Sequence, residues 1–361
     1  MTAVLLLPWL TWILRGPDGT PTPTTLDIPA IFADRPPTWG QGQVLTPATD
    51  LGTQAAAALT WLQQSPDPPH AGALAELGVT AEDLQATLAF VARIAAEDAG
   101  KPTQRLQDPA FLAEHFRVIH WTPDAPQGET RIRLTRYVIW QVEGTPTRDD
   151  AHAYALYAVP DDEQGLTEAE ATGRDLDRFR YTRQQVLAGV YEPGGAAAGR
   201  AKPLVWLSRA QVHEALMQGT IEVRHPNGST HLYNVARPNA WPYVKGLPSE
   251  DQKRLWYFRE VDAIYGWGRD DAHIPLTPGV AVAGDVYNLG VGQLLALSWP
   301  GAQGPSVRLV VLADTGGAFQ PNLHQLDLLL GSFPSRAAFN TASAALPDRV
   351  SADLLVLRAH P

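Results

Sequence analysis

The sequence predicts a mainly β protein with an α-helical N-terminal part, and three observations carry that prediction. The 361 residues include 30 glycines and 31 prolines but only 18% charged residues, a balance that favours turns and short strands over long solvated helices. Ala-rich stretches with apolar positions at helical spacing are confined to the first third of the chain. From Arg131 onward, β-branched and aromatic runs recur between Gly and Pro, the pattern of a small barrel rather than a doubly wound sheet. With 45% hydrophobic residues the chain can bury a sizeable core, and its length suggests about two domains.

The elements follow in order. The apolar run Ala3 to Leu14 is shorter than the roughly 20 residues of a membrane-spanning helix, so no integral membrane span is expected. Without a basic segment before it, the run reads as a degenerate signal or a buried first element as readily as a working export signal. Pro17, Pro21, Pro23, Pro29, Pro36 and Pro37 make residues 16–50 an extended, irregular lead-in. A helix is expected from Leu51. Thr80 with Asp83 forms a capping-box start for the next, and Gly100 closes it. Asp108 and Pro109 open a third, short helix.

Strands are expected in TRIRLTRYVIWQVEG (from Thr130), AHAYALYAVP (from Ala151) and PLVWL (from Pro203). Two more, GTIEVRH and STHLYNVA, are joined by the turn Pro226-Asn227-Gly228. Residues 161–178 read as an acidic, polar excursion. Short strands then recur around VAVAG, QLLALSW, VRLVVLAD, LDLLLG and DLLVLR.

Several functions are excluded. A net charge of −10 with no basic run would repel phosphate, so no nucleic-acid partner is expected. The absence of cysteine removes disulfides, thiolate metal sites, a cysteine nucleophile and a lipidated cysteine. Gly194 and Gly199 have phosphate-loop spacing, but Arg200-Ala201 stand where Lys-Ser/Thr is required. Gly290-Val291-Gly292 lacks the third glycine of a dinucleotide site, His213-Glu214 lacks the second histidine of a zinc protease, and no nucleophile elbow occurs. The string RDDAH, at Arg148–His152 and Arg269–His273, fits no common ligand spacing. Neither metal nor cofactor is expected.

The chemistry is concentrated near the C-terminus. The apolar strand Val307 to Leu312 leads to Asp314, Gly316 and Gly317 follow, and a lone Asp327 sits inside LDLLLG. Aspartate disfavours strands and is costly to bury unpaired. Burial would also raise its proton affinity, the condition a general acid needs near neutrality. Asp285 ends a third Val/Ala strand. Three strand-associated acids beside glycines read either as a carboxylate site or as caps of turns.

These residues resemble the membrane-bound lytic transglycosylase A (MltA) family, with its C-terminal 3D domain named after three aspartates. Pro275-Leu276-Thr277-Pro278-Gly279 leading to Asp285 matches its P-L-T-x-G…D segment, Asp314-Thr315-Gly316-Gly317-Ala318 its D-T-G-G-A, and Asp327 through Gly331 its final aspartate and apolar run. Upstream, LTRYV (134–138) is similar to F-T-G-Y-Y, and Thr147-Arg148, Tyr154, Tyr157 and Pro160 keep the spacing of T-R…Y-P-x-Y-x-x-P. Tyr181-Thr182-Arg183 resembles a T-R-A-E-I helix start, and Gln218-Gly219-Thr220 with Asn227-Gly228-Ser229 a Q-G-S-G…D-G-S hairpin.

The resemblance implies a double-psi β-barrel domain built from both chain ends, with an inserted β domain and a sugar groove between them. The expected boundaries are 1–139 for the helical lead-in and first barrel part, 140–258 for the insert, and 259–361 for the rest of the barrel. It implies cleavage of the MurNAc-β-1,4-GlcNAc bond of peptidoglycan strands in the cell envelope, without water, giving a 1,6-anhydro sugar. Asp327 is then the acid and later the base, Asp314 orients or supports it, and Asp285 shapes the barrel floor or binds sugar. Gly316 and Gly317 would admit the saccharide close to backbone. Tyr137, Gln218, Asn239, Trp241 and Tyr243 are its implied sugar contacts.

This chain departs from the family on the presumed substrate side. The G-K-N-G-H-x-Y motif reads Arg237-Pro238-Asn239-Ala240-Trp241-Pro242-Tyr243, the segment after Thr135 reads Arg136-Tyr137-Val138, and Ile221 replaces the second glycine of the hairpin motif. Two rival functions follow: cell-wall glycan binding without turnover, and hydrolysis of a β-1,4 glycan by a true Asp314–Asp327 pair. Among eleven tryptophans, Trp241 and then Trp140 are the candidates for stacking on sugar.

Overall fold

The computed structural model describes residues 11–16, 19–37, 39–65, 68–123, 128–244, 246–269, 272–317, 319 and 321–358. Ala3 to Leu10, Pro17, Asp270, Asp271 and Ala318 of the segments above lie outside the described residues. The chain forms two compact units, Met1–Tyr137, Gly266–Leu330 and Ser343–Pro361 in one, Val138–Tyr265 and Gly331–Ala342 in the other.

The first unit is organised by Gly304–Asp314, whose residues Val307 and Leu309 to Ala313 are wholly buried. Such a run, apolar on both faces, suits a strand covered on both sides. It pairs antiparallel with Leu294–Gly301 and parallel with the short strand Ala281–Ala283. Gln325–Phe333 pairs antiparallel with the far side of Ala281–Ala283. On the other flank follow Arg349–Leu357, Phe116–Trp121 and Phe32–Asp34.

Two helices of this unit, Ala48–Gln64 and Ala81–Asp98, pack against each other. They meet so closely that a Cβ at Gly52 would lie 2.3 Å from that of Ala95. Thr80 and Asp83 make the expected capping box, Asp108 caps Pro109–His115, and Gly100 adopts φ +75° just past its helix.

The irregular lead-in is corrected. Thr11–Arg15 pairs with Pro21–Asp27, and the short helix Ile28–Ile31 runs into Phe32–Asp34. Proline is tolerated there because both strands of a two-stranded ribbon are edges. Phe116–Trp121 was not anticipated either, since Arg117 and His120 interrupt its apolar run.

In the second unit, Trp140 to Glu143 pair in parallel with Thr220–Arg224, which pairs with Thr230–Pro238 and that with Trp256–Val261. The expected Asn-Gly turn joins the middle two, with Gly228 at φ +86°. Tyr154–Tyr157 pairs with Pro203–Leu207 over a core that includes Leu156, Val205, Val212, Ile221, Tyr233 and Tyr257. The acidic excursion is anchored by wholly buried Arg178, which donates to Glu163 at 2.6 Å and to Glu168 at 3.0 Å. Residues 331–342 cluster with this unit. There the ring of Phe339 meets Trp140 at 6.0 Å, and the Arg336 guanidinium lies 5.5 Å from the same indole.

Of the two RDDAH copies, the first is a turn: Asp149 accepts from the backbone N–H of Ala151 and His152 and meets the His152 ring. Among the described residues no helix is long and apolar enough to cross a membrane.

Asp353 ties three elements of the first unit together. Buried on Arg349–Leu357, it meets His120 Nδ1 at 2.8 Å and accepts from Trp39 Nε1 at 2.9 Å. Asp353→Ala should therefore cost about 3 kcal/mol in denaturant unfolding, because it leaves buried polar groups unpaired. Asp353→Asn, which retains an acceptor for Trp39, should cost less.

Candidate active site

Two of the three acids meet through the register of the first unit's sheet. Ala283 lies opposite Asp314 on one neighbouring strand and opposite Asp327 on the other. Strands are spaced about 4.8 Å apart, so the two acid backbones stand roughly 10 Å apart with only an alanine between them. Beyond Ala283, the Gly284 N–H donates to the Asp314 carbonyl at 3.1 Å, and the Thr315 hydroxyl donates to the Gly284 carbonyl at 2.8 Å. Backbone crowding requires glycine at Gly266, and Gly284 is close to leucine side-chain ends. A Cβ at Gly266 would lie 2.7 Å from the Ala313 carbonyl and 3.0 Å from Asp314 Cβ, and one at Gly284 would lie 2.9 Å from Leu326 Cδ2.

The two carboxyls are held differently. Asp314 Oδ2 accepts the Tyr137 hydroxyl at 2.9 Å, and Oδ1 accepts the Thr315 N–H at 2.8 Å. Asp327 Oδ1 is buried with no hydrogen-bond partner among the described residues. Loss of solvent pushes the Asp314 carboxyl up to about 7; its bonds to Thr315 and Tyr137 oppose the rise and the charge of Asp327 adds to it. The same loss pushes Asp327 up to about 6, opposed by the Thr135 hydroxyl and by the charges of Arg133 and Arg136. Tyr137 is held well above its ordinary range by burial, then by Asp314 and Asp327, so it stays a hydroxyl donor.

Asp285 is tied into its own loop. It is wholly buried, and its carboxylate accepts the Asn288 N–H at 3.1 Å, the Asn288 side-chain amide at 2.8 Å and the Asn322 N–H at 3.0 Å. With both oxygens occupied, it caps Val286–Leu289 and shapes the loop. Asn239 is tied into its loop in the same way. Its amide donates to the Tyr181 and Lys253 carbonyls at 3.0 Å and accepts the Leu255 N–H at 2.8 Å, leaving it 1% exposed. It holds its loop and has no face for a ligand.

Of the other expected residues in the first unit, Gly316 is half-buried and Gly317 exposed. A Cβ at Gly316 would meet the Phe319 ring at 3.8 Å and one at Gly317 would meet nothing, so packing does not demand glycine at either. In the second unit, Gln218 is half-buried at the end of Arg209–Gln218, and Tyr243 is 55% exposed. The Trp241 ring has Lys253 Nζ 5.0 Å from its centre. Trp140 is a packing residue there, its indole N–H donating to Glu214 at 3.1 Å. Sequence reasoning missed Thr135, Arg133, Gly266 and Gly284 as parts of the site. The Gly284-Asp285 and Tyr265-Gly266 pairs at strand ends were the available signal.

No family model matches the sequence, and no curated protein matches it. Among solved structures, the fold is similar to a membrane-bound lytic murein transglycosylase from Agrobacterium tumefaciens, with a TM-score of 0.64 at 19% identity over 91% of this chain and 98% of that one. MltA from Neisseria gonorrhoeae gives 0.61 at 17% identity, covering 97% of this chain and 98% of that chain. E. coli MltA with bound chitohexaose gives 0.60 at 15% identity, covering 92% and 95%. The chain thus has the MltA fold.

The raised carboxyls have a stability consequence of defined sign. A carboxyl that binds its proton more tightly when folded contributes stability below its unfolded pKa, and that contribution is lost as pH rises through the folded value. Between about pH 4 and pH 7 the protein should therefore lose stability at both acids. Asp327→Asn, tied to a value raised to about 6, should stabilise the fold at about pH 8 by roughly 1–2 kcal/mol and have little effect near pH 4, as read by thermal unfolding.

Proposed function

We propose that this chain is a peptidoglycan lytic transglycosylase of the MltA type, acting in the cell envelope on the bond between N-acetylmuramic acid and N-acetylglucosamine. The observation that carries the proposal is the asymmetry of the two acids. Asp314 has both oxygens held, whereas Asp327 keeps a buried oxygen with no partner. An enzyme with one available carboxyl cannot supply both an acid and a separate base from a conventional pair. It can cleave a glycosidic bond if the substrate supplies the nucleophile.

In this reading, neutral Asp327 gives its proton to the glycosidic oxygen as the bond to the muramic C1 breaks, and the electron pair leaves with that oxygen. The C6 hydroxyl of the same muramic residue bonds to C1, and the Asp327 carboxylate takes the proton that hydroxyl releases. No water is used, and the product carries a 1,6-anhydro ring. Asp314, fixed by Tyr137, supports Asp327. Gly316 and Gly317 offer backbone to the glycan, and Gln218, Trp241 and Tyr243 supply further contacts. The barrel would be of the double-psi type. The fold likeness supports this reading, and the solved structure of E. coli MltA holds chitohexaose, a β-1,4-linked glycan.

A second reading, glycan binding without turnover, is favoured by Pro238 and Trp241, which stand where the family motif has lysine and histidine. Incubating isolated sacculi with the wild type, Asp314→Asn and Asp327→Asn, with mass spectrometry of the released material, separates the readings. The wild type should release anhydro-muropeptides, with a rate that declines above about pH 6 as the acid loses its proton. Asp327→Asn should lower the rate by at least ~10²-fold. Reducing ends in place of anhydro ends would favour hydrolysis. Binding to sacculi with no released product would favour the second reading.

A further inference from the structure

A cavity of about 360 Å³ opens at the far end of Gly304–Asp314 from the acids. Pro305 in its wall stands nine residues along the strand from Asp314, roughly 30 Å at about 3.3 Å per residue. The lining includes Trp39, Arg131, Ser298, Trp299, Pro300 and Pro305, and none of these belongs to the carboxyl site.

Register builds the cavity. Leu294–Gly301 and Gly304–Asp314 form a hairpin in which Trp299 stands opposite Ser306 and Pro300 opposite Pro305. Proline brings no N–H, so two prolines opposite each other end the ladder and leave a rigid apolar wall. The floor is Trp39, wholly buried, whose indole N–H donates to Asp353 at 2.9 Å. A Cβ at Gly42 would lie 2.6 Å from the Pro305 carbonyl, so the turn from Trp39 to Gly42 packs its backbone against the wall. Floor and wall are thus fixed before any ligand arrives.

The open surface is chemically mixed. Trp299 is half-buried and Arg131 is exposed. Among the described residues, no hydrogen bond or ion pair engages the Trp299 indole N–H, the Ser298 and Ser351 hydroxyls or the Arg131 guanidinium. Neighbouring Arg349 pairs with Glu129 at 3.1 Å, and Arg131 is the one charged residue of the described lining. Indole and proline suit the C–H face of a pyranose ring, open hydroxyls suit its hydroxyl and acetamido groups, and an unpaired guanidinium suits a carboxylate. A proline-rich peptide fits less well. Grooves for it are lined by aromatic rings, and only one indole here is accessible.

We propose that this cavity is an accessory site for the peptidoglycan strand: a sugar ring lies on Trp299 and the wall of Pro300 and Pro305, and Arg131 takes a carboxylate of the stem peptide. The assignment rests on the transglycosylase reading, which supplies a polymer carrying both groups. It gives that polymer a second hold, remote from the bond that breaks.

The test separates holding from cutting. Binding to sacculi is measured by cosedimentation in the Asp327→Asn background, where the polymer stays intact. There Trp299→Ala should weaken binding about tenfold and Arg131→Gln about threefold, the latter with a shallower dependence on salt. With Asp327 restored, both variants should digest sacculi more slowly. Both should cleave a soluble tetrasaccharide of alternating N-acetylglucosamine and N-acetylmuramic acid at the wild-type rate, since so short a chain cannot reach both sites. Arg131→Gln, at an exposed residue, decides alone if Trp299→Ala does not fold. Unchanged sacculus binding in both variants overturns the proposal, and so does an equal loss of rate on tetrasaccharide and sacculi. Binding of a proline-rich peptide that Trp299→Ala abolishes, with sacculus binding unmoved, would overturn it in favour of a protein partner. A wild type that cuts neither substrate, with sacculus binding still lost in both variants, would overturn the transglycosylase reading and leave the accessory site standing.

Discussion

The site depends on a short strand caught between two long ones. Ala281–Ala283 runs parallel to Gly304–Asp314 and antiparallel to Gln325–Phe333, so Ala283 faces an acid on each side. A larger side chain at that residue would crowd the space between the carboxyls. The strand stops there because Gly284 turns away, its N–H bound to the Asp314 carbonyl and its carbonyl bound by the Thr315 hydroxyl. That turn also carries Asp285 out of the pair and into the cap of the following helix.

With register fixed, electrostatics distinguishes two chemically identical groups. Both carboxyls lose solvent, and both hold their protons more tightly as a result. Asp314 is then tied at both oxygens, a geometry suited to support. Asp327 retains an open oxygen, and burial raises its proton affinity against the Thr135 hydroxyl and the charges of Arg133 and Arg136, an arrangement suited to a proton that leaves and returns. Tyr137 links the pair, since its hydroxyl binds one acid while burial, and then both acids, keep it protonated.

Much of this was legible in the sequence. A lone acid inside LDLLLG and another ending VRLVVLAD are improbable in buried strands without a use, and those are the two that meet. The helices at Thr80 and Asp108 and the Asn-Gly hairpin were legible because their capping and turn chemistry is local. The bonds that Asp285 and Asn239 make were not legible, for a physical reason. A sequence places an acid or amide near a turn, but whether its bonds are already filled depends on partners such as Asn322 or Lys253 far along the chain. Phe116–Trp121 and the ribbon at Thr11–Arg15 are likewise set by the strands beside them. The bonds of Arg136 were not legible either, because its partners at 346–348 lie some 210 residues away.

The central claim is that the substrate's own hydroxyl, rather than water, closes the reaction at a single open acid. Digestion of sacculi in water enriched in heavy oxygen tests it most directly, with mass spectrometry of the new muramic ends. The account predicts anhydro ends that carry no heavy oxygen. Heavy oxygen at C1 of the released muramic residues would show that water attacks, and would contradict the account.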